Sequence, residues 1–183
     1  MTVASRAIGG RRLDLVVGDI TREKVDAIGN AANAALRGGG GVDGAIHRAA
    51  GPGLMEELRR EHPDGTPTGT AVATGGHALP ARWVFHAVGP VWRGGGNGEA
   101  ELLAGAYRAC LHLADVQACR SLALPAISMG IYGYPAEEGA RIAITTVAEH
   151  LRGDTTLARV RFVLREATFA PFSSALEASD VRD

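Results

Sequence analysis

The sequence predicts an α/β fold, a three-layer α/β/α sandwich around a central mixed sheet. Short apolar runs of strand length alternate with longer segments whose apolar residues recur at three- and four-residue spacing. Glycine and proline end several of these segments. Strands that alternate with helices are typical of a sheet covered by helices on both faces. We therefore expect a single domain over residues 1–183, with its core at about 13–165 and a short terminal helix after 171.

The individual elements follow from these patterns. Six runs have the pattern of strands: 12–17, 25–31, 70–74, 83–88, 122–126 and 160–164. The third and fourth of these are expected to pair as a hairpin. Three segments have helical spacing: 42–50, 54–61 and 99–117. A fourth helix carries an apolar stripe from Ala140 to Leu151 and is expected to end at Gly153.

The charge balance excludes a protein that grips long nucleic acid through a basic surface. The formal net charge is −1 and the pI is about 6.6. The first ten residues form no continuous apolar segment, so no secretory signal is expected. No run approaches the ~20 apolar residues of a membrane span. Cys110 and Cys119 lack a CxxC spacing, so we expect reduced thiols, a cytoplasmic location and no metal site. Lys24 is the only lysine, which indicates a GC-rich, bacterial genome.

The segment 30–47 carries the strongest functional pattern. It follows an apolar run, contains four consecutive glycines, and leads into a predicted helix with Asp43 in its first turn. Glycines let backbone N–H groups approach a ligand closely, and a helix N-terminus adds unpaired N–H groups and a partial positive charge. Together they predict an anion site for phosphate or pyrophosphate. Asp43 indicates chemistry beside that phosphate, and a flexible connector is the alternative interpretation.

Two familiar phosphate motifs do not fit this segment. A P-loop needs Gly-Lys-Ser/Thr after its glycines, and this sequence has Val42 and Asp43 there. The glycine spacing matches the sequence of a dinucleotide fingerprint, but the strand and the acid that belong to that motif are not in the expected places. About nine residues separate it from its strand, and the next acid some twenty residues on, Asp64, lies in a turn-like segment. A standard nicotinamide-binding half is therefore excluded.

A second loop with exposed backbone amides, at 128–132, follows the strand predicted at 122–126. If the two strands are neighbours, this loop and the glycines can clamp a diphosphate from opposite sides. Asn30 and Asn33 supply neutral amides suited to the hydroxyl groups of a sugar.

Asp43 and His47 lie four residues apart and therefore share one helix face. Asp43 alone would also suit a helix N-terminus, and His47 alone would suit an ordinary half-buried position. Asp19 follows the first predicted strand and is either a ligand contact or a cap of the next turn. His77 and His86 are assigned no role, and the glycine cluster at 94–98 is interpreted as a flexible loop.

Five segments occur in an order and spacing that identify a family: GDIT at 18–21, NAAN at 30–33, GGGGVDGAIH at 38–47, VFHAVGP at 84–90 and LPAISMGIYGYP at 124–135. Together they resemble the macrodomain family, specifically its MacroD-type branch. The resemblance spans roughly residues 13–165 and implies the macrodomain fold.

The resemblance implies an ADP-ribose site that needs no metal ion or other cofactor. Asp19, with the amide of Ile20, would bind the adenine. Two loops would hold the pyrophosphate, and they consist of Gly38, Gly39, Gly40, Gly41 and Val42 and of Ser128, Met129, Gly130, Ile131 and Tyr132. Asn33 would contact the distal ribose, and Asn30 would support the loop.

The implied activity is hydrolysis of an ester at the distal ribose. Such an enzyme releases ADP-ribose from acidic side chains of modified proteins or deacetylates O-acetyl-ADP-ribose. Asp43 would orient or activate the attacking water, His47 would orient Asp43 or its surroundings, and Asn33 completes the expected catalytic set. A reader that binds ADP-ribose or ADP-ribosylated protein without turnover is the alternative, and another nucleotide-binding α/β enzyme is a remote third. No extended nucleic-acid surface and no membrane contact are expected.

Three residues depart from the family pattern. Gly29 replaces an apolar β-branched residue and should soften its strand. Met129 replaces a small hydroxyl residue, which removes a possible phosphate contact. Arg165 stands where many members stack an aromatic ring on the adenine. A planar guanidinium also stacks on a base, so altered adenine packing is expected.

Overall fold

The computed structural model describes residues 3–179, which form a mixed seven-stranded sheet with five α-helices. The strands are β1 (Val3–Ile8), β2 (Arg11–Val17), β3 (Ala27–Ala31), β4 (Ala71–Gly75), β5 (Trp83–Ala87), β6 (Ser121–Leu124) and β7 (Arg159–Leu164). The helices are α1 (Gly41–Ala50), α2 (Pro52–Glu61), α3 (Glu99–Val116), α4 (Ala136–Arg152) and α5 (Glu166–Ala178). A 3-10 helix, Ile20–Arg22, follows β2. The predicted α/β fold with a mixed central sheet is confirmed.

Parallel strands form the middle of the sheet. The order is β1-β2-β7-β6-β3-β5-β4, and only the outermost strands β1 and β4 run antiparallel to their neighbours. The carboxyl ends of the parallel strands therefore share one edge, where open α/β sheets place their ligands. β3 and β6 are neighbours, as the clamp hypothesis requires, but they pair only at Ala27 with Leu122 and Ile28 with Ala123. Beyond Ile28 their ladder ends, and the sheet opens between the two following loops.

Alternating side chains build one core on each face of the sheet. In β7, Phe162 packs on one side with Tyr107 of α3 and Val147 of α4. The next residue, Val163, packs on the other side with Ile46 of α1. Full burial of such a side chain stabilises the fold by about 1.5–3 kcal/mol. The two cores therefore fix α3, α4 and α5 on one face and α1 and α2 on the other.

Two elements differ from the sequence-based expectation. The edge strand β1 lies outside the predicted elements, because most of its residues are exposed or half-buried and carry no apolar alternation. The terminal helix begins at Glu166 instead of after 171, so Pro171 lies inside it. A proline there removes one intrahelical hydrogen bond. The buried Phe172 and Leu176 keep this helix on the sheet despite that loss.

The hairpin between β1 and β2 turns at the edge of the sheet opposite to the carboxyl ends of the parallel strands. Gly9 and Gly10 both have positive φ, 57° and 77°, as a two-residue turn of this hand requires. The Arg11 guanidinium anchors the turn by donating to the carbonyl oxygens of Leu151, at 2.7 Å, and Thr155, at 3.1 Å. A Cβ on Gly10 would meet no heavy atom within 4 Å.

Both cysteines are buried free thiols, as predicted. Burial raises the pKa of the Cys110 thiol to about 12, so it stays protonated and unreactive at neutral pH. Among the helices within residues 3–179, none has the length and apolar character that a membrane span requires.

Candidate active site

A cleft of about 730 Å³ opens at the carboxyl edge of the sheet, between the loops that follow β3 and β6. Twelve of the residues predicted for the site line it: Asn33, Gly39, Gly40, Gly41, Val42, Asp43, Ser128, Met129, Gly130, Ile131, Tyr132 and Arg165. The other five, which are Asp19, Ile20, Asn30, Gly38 and His47, do not reach its wall. The structure thus brings the two predicted loops together around one cavity.

Gly29 lies directly after the last residue of β3 that pairs with β6. A Cβ at this position would lie 2.8 Å from Leu124 Cδ2 and 3.3 Å from Pro125 Cδ. These distances are too short for a β-branched residue, so the Leu124 side chain occupies the space that such a residue would fill. β3 stays regular in spite of the glycine, because Gly29 pairs in register with Phe85 of β5.

Asp43 is held by its neighbours through one carboxylate oxygen. The Asn30 side-chain amide donates to Asp43 Oδ1 at 2.7 Å, and His47 Nε2 lies 3.3 Å from the same oxygen. Within residues 3–179, no hydrogen-bond donor pairs with Oδ2. The Asp43 side chain is 8% exposed. The shared helix face predicted for Asp43 and His47 is therefore present, and Oδ2 is the oxygen that remains available to a ligand or a water molecule.

The two asparagines have different environments. Asn30 is fully buried behind the cleft and bonds Asp43 directly. Asn33 lies in the cleft wall, where its amide donates to the Gly38 carbonyl at 2.8 Å and its oxygen accepts from the Arg37 N–H at 3.3 Å. Asn33 therefore closes the glycine loop, and Asn30, which was expected to support that loop, positions the acid.

The glycine loop delivers the N-terminus of α1 to the cleft. Gly38 and Gly41 have positive φ of 84° and 57°, which other residues rarely adopt. A Cβ on Gly44 would lie 2.6 Å from the Gly39 carbonyl, so only glycine lets the loop pack on the helix. Gly40 is the N-cap and offers no side-chain acceptor. The first N–H groups of α1 consequently remain available for an anion.

Tyr107 holds the loop that follows β6. Its fully buried hydroxyl donates to the Pro125 carbonyl at 3.0 Å and accepts from the Ile127 N–H at 2.9 Å. Ser128, the next residue, has a positive φ of 67°. Its buried Oγ has no hydrogen-bond partner in the described part of the chain. Any side chain at Gly89 would collide with that hydroxyl, which explains the glycine there.

Two further side chains of this loop point in different directions. Met129 packs against α4, since a Cβ on Gly139 would lie 2.8 Å from its Cε. The thioether thus occupies a half-buried apolar position, and the residue offers a ligand its backbone. Ile131 is 92% exposed at the rim of the cleft, so the loop presents an apolar side chain to solvent.

The glycine cluster at 94–98 is more ordered than a flexible loop, and the structure corrects that interpretation. The Glu99 carboxylate accepts hydrogen bonds from the backbone N–H groups of Arg93, Gly95 and Asn97 at 2.6 to 3.1 Å. Burial raises the pKa of Glu99, but the backbone donors together outweigh this effect, so the pKa lies below its ordinary value. A single acid at the start of α3 therefore organises the whole loop.

The residues expected at the adenine lie at the ends of two adjacent strands. Asp19 Oδ1 accepts from the Thr21 hydroxyl at 2.7 Å and the Thr21 N–H at 3.0 Å, and these bonds lower the pKa of Asp19. Asp19 is thus the cap that the alternative interpretation anticipated. Ile20 is buried in the core. Arg165 is the N-cap of α5 and lines the cleft.

Sequence reasoning missed several residues that hold this site. His86, Gly89, Glu99 and Tyr107 each contact a predicted loop or residue. Two of them left a signal: His86 and Gly89 lie in the VFHAVGP segment that contributed to the resemblance. Tyr107 left none, because its partners lie on another segment of the chain. Glu99 left none, because its partners are nearby backbone N–H groups, which no side-chain pattern marks.

The Macro domain family model matches residues 29–143, which include the glycine loop, Asp43 and the loop after β6. The chain belongs to the Macro domain family. An O-acetyl-ADP-ribose deacetylase of Salmonella gallinarum is 53% identical over 154 residues, which cover 83% of this chain and 86% of that protein. This relative fits the MacroD-type branch.

Two solved macrodomains share the fold. The Oceanobacillus iheyensis macrodomain with ADP is 39% identical and has a TM-score of 0.93, over 100% of this chain and 98% of that chain. The Trypanosoma brucei macrodomain in complex with ADP-ribose is 38% identical, with a TM-score of 0.82, over 90% of this chain and 68% of that chain.

Proposed function

We propose that this macrodomain binds ADP-ribose in the cleft and hydrolyses an ester at its distal ribose. The substrates would be O-acetyl-ADP-ribose and proteins mono-ADP-ribosylated on glutamate or aspartate. The observation that carries this proposal is the Asp43 carboxylate, which is fixed through Oδ1 while Oδ2 remains available beside the glycine loop. The deacetylase relative and the structural neighbours with ADP and ADP-ribose support the substrate class.

The geometry suggests how the diphosphate and the acid divide the work. The N-terminus of α1 and the loop at 128–132 offer backbone N–H groups, and such donors bind phosphate without a lysine or a metal ion. The Asp43 carboxylate repels the diphosphate and so weakens binding. An acid in the first turn stabilises the helix N-terminus, but next to a bound diphosphate it gains a use in catalysis if it acts on a neutral group such as a water molecule.

In the proposed reaction, Asp43 Oδ2 orients a water molecule toward the acyl carbon of the ester. The water oxygen forms the new bond to that carbon, and the bond between the carbon and the ribose oxygen breaks. The proton that the water loses passes to the departing ribose oxygen, which leaves as a hydroxyl group. The products are ADP-ribose and acetate, or ADP-ribose and the free acidic side chain. A positioned base of this kind typically contributes about 10²–10⁴-fold in rate.

The decisive experiment compares wild type with Asp43→Ala for two activities and for binding. We expect wild type to release ADP-ribose from a protein modified on glutamate or aspartate and acetate from O-acetyl-ADP-ribose. We expect Asp43→Ala to lose at least a hundredfold in turnover, with calorimetric affinity for ADP-ribose kept or improved. Asp154→Ala serves as the matched control, because Asp154 is exposed and lies outside the cleft.

The outcomes separate the hydrolase from the reader. Binding of ADP-ribose by wild type without release of either product would favour a reader. Equal loss of binding and turnover in Asp43→Ala would refute the role given to Asp43. Equal preference for ADP-ribose, ADP and NAD in thermal-shift measurements would favour another kind of nucleotide-binding enzyme.

A further inference from the structure

His86 lies directly behind the candidate catalytic acid. It is fully buried in β5 and pairs in register with Asn30 of β3. Its ring is hydrogen-bonded on both sides: Nδ1 lies 3.1 Å from the Asn30 side-chain nitrogen, and Nε2 lies 2.9 Å from Thr74 Oγ1. A histidine in a core is often only a packing residue with satisfied nitrogens. The direction of these hydrogen bonds indicates instead that the ring orients the Asn30 side chain.

The chemistry of the partners fixes which ring nitrogen carries the proton. The Asn30 side-chain nitrogen is a donor only, so His86 Nδ1 must accept through its lone pair. The proton therefore sits on Nε2 and is donated to Thr74 Oγ1. The Thr74 hydroxyl in turn donates its own proton to the Gly75 carbonyl at 3.1 Å. The donors and acceptors therefore form one chain, in which Asn30 donates to His86, His86 donates to Thr74, and Thr74 donates to the Gly75 carbonyl.

The ring is neutral at the pH at which proteins work. Burial lowers the pKa of His86 to about 3, and the neighbouring His47, with its ring centroid 6.3 Å away, lowers it as well. Asp43 acts in the opposite direction and His62 in the same direction as His47. A neutral ring keeps the Nδ1 lone pair available to Asn30.

The lone pair of His86 stabilises the same orientation of the Asn30 amide that the Asp43 carboxylate requires. One amide hydrogen goes to Asp43 Oδ1 and the other goes to His86 Nδ1. The Asn30 oxygen is buried and has no partner among residues 3–179, so no donor there holds the amide from its other side. If His86 carried its proton on Nδ1, the ring would present a donor to the amide nitrogen, and the amide would be driven to rotate its oxygen toward the Asp43 carboxylate.

We propose that His86, held by Thr74 with its proton on Nε2, is a positioning residue that orients Asn30 and through it the Asp43 carboxylate. The inference rests on the proposed function, because the carboxylate orientation matters only if Asp43 acts on a bound group. It assigns the pair of His86 and Thr74 a task in turnover and none in binding ADP-ribose, since neither side chain lines the cleft.

Two matched pairs of variants test the proposal. Thr74→Val keeps the shape of the side chain but removes the acceptor for Nε2–H, whereas Thr74→Ser keeps the hydroxyl. His86→Leu removes the acceptor for Asn30, whereas His86→Asn can place an oxygen near the position of Nδ1. We expect Thr74→Val and His86→Leu to lower kcat roughly ten- to hundredfold, because a small misplacement of a reacting group costs up to about a hundredfold in rate. Thr74→Ser should stay within about twofold of wild type, and His86→Asn should recover part of the loss.

The readouts separate positioning from simple destabilisation. The KM and the calorimetric Kd for ADP-ribose should stay within about twofold in every variant, and thermal unfolding should confirm that each is folded at the assay temperature. In wild type, ¹⁵N NMR of the histidine rings should show the His86 proton on Nε2. Thr74→Val should shift that proton toward Nδ1 and move the Asn30 side-chain amide signals.

Three results would overturn the proposal. These are a His86 proton on Nδ1 in wild type, an unchanged kcat in folded Thr74→Val, or a parallel loss of kcat and ADP-ribose affinity in both deletion variants. A wild type that binds ADP-ribose but turns over neither substrate would refute the proposed function instead. In that case, the ring tautomer and the response of the Asn30 amide in Thr74→Val still decide whether His86 orients Asn30.

Discussion

The backbone N–H of Trp92 donates to the Tyr132 carbonyl at 2.8 Å and so ties the loop at 92–98 to the loop that follows β6. The Trp92 ring reinforces this tie by packing on Tyr134, with ring centroids 4.8 Å apart. Because Glu99 holds the first loop together through three backbone N–H groups, this buried acid also supports the wall of the cleft.

Glu99→Gln should reveal the pH dependence of this support. The folded pKa of Glu99 lies below its ordinary value of 4.5, so its ionisation stabilises the folded state above that pH. The contribution disappears as the pH falls through the folded pKa. The glutamine variant should therefore melt at a lower temperature than wild type at pH 7, and the difference should narrow below about pH 4.5.

The measurement is thermal unfolding of both proteins across pH 3 to 8. Glu149→Gln is the control, because Glu149 is exposed on α4 and should follow the wild-type curve. A Glu99→Gln melting temperature equal to that of wild type at pH 7 would contradict the role of this acid.

Tyr107→Phe should destabilise the protein through the loop after β6. The change leaves the Pro125 carbonyl without its donor and the Ile127 N–H without its acceptor inside the core. Such unsatisfied buried groups cost about 1–3 kcal/mol in the free energy of unfolding. Urea denaturation measures the loss. Tyr134→Phe is the matched control, since no hydrogen bond to the Tyr134 hydroxyl occurs among residues 3–179. Equal losses of unfolding free energy in the two variants would show that the Tyr107 hydrogen bonds do not stabilise the loop.

Arg165→Ala should weaken ADP-ribose binding modestly. Arg165 is the N-cap of α5 at the cleft wall and is exposed. A guanidinium that stacks on a base at an exposed site contributes about 0.5–1 kcal/mol. Calorimetry should show a Kd about two- to fivefold higher than that of wild type. Arg165→Phe should restore the affinity through an aromatic face. If ADP-ribose and ribose phosphate lose affinity equally in Arg165→Ala, the arginine contacts phosphate instead of adenine.

Gly39→Ala should impair turnover more than folding. The added methyl carbon would lie 3.3 Å from Asp43 Oδ2 and 3.8 Å from the Asn33 side-chain nitrogen, and it therefore crowds the oxygen proposed to hold water. Small displacements of reacting groups cost up to about a hundredfold in rate, so we expect kcat to fall roughly ten- to hundredfold. Gly96→Ala is the control, because a Cβ there meets nothing within 4 Å. A Gly39→Ala enzyme with the kcat of wild type would place the water elsewhere.

The sequence predicted the central strands and the two loops well because their signals are local. The apolar run that contains Phe162 has the length and the β-branched residues of a strand, and the four glycines stand directly before a segment with helical spacing. β1 was not predicted, because an edge strand buries little apolar side-chain surface and so shows no apolar pattern. Pro171 misled because proline commonly begins a helix, whereas here α5 starts five residues earlier.

The supporting contacts of the site could not be predicted in the same way. Asn30 and His86 are 56 positions apart, and nothing in the local pattern of either residue specifies the other. The same is true of Tyr107 and its two partners on the loop after β6. Such pairs are set by which strands become neighbours, so they become visible only once the sheet order is known.

The Gly9–Gly10 turn gives the molecule a site for chemical attachment. It projects from the side of the sheet remote from the cleft, and the space around Gly10 is empty. A cysteine in place of Gly10 would have room for a fluorophore or a tether to a solid support, at the cost of some backbone strain from the positive φ of 77°. The immobilised protein would then present its cleft to the solution, unobstructed, for capture of ligands.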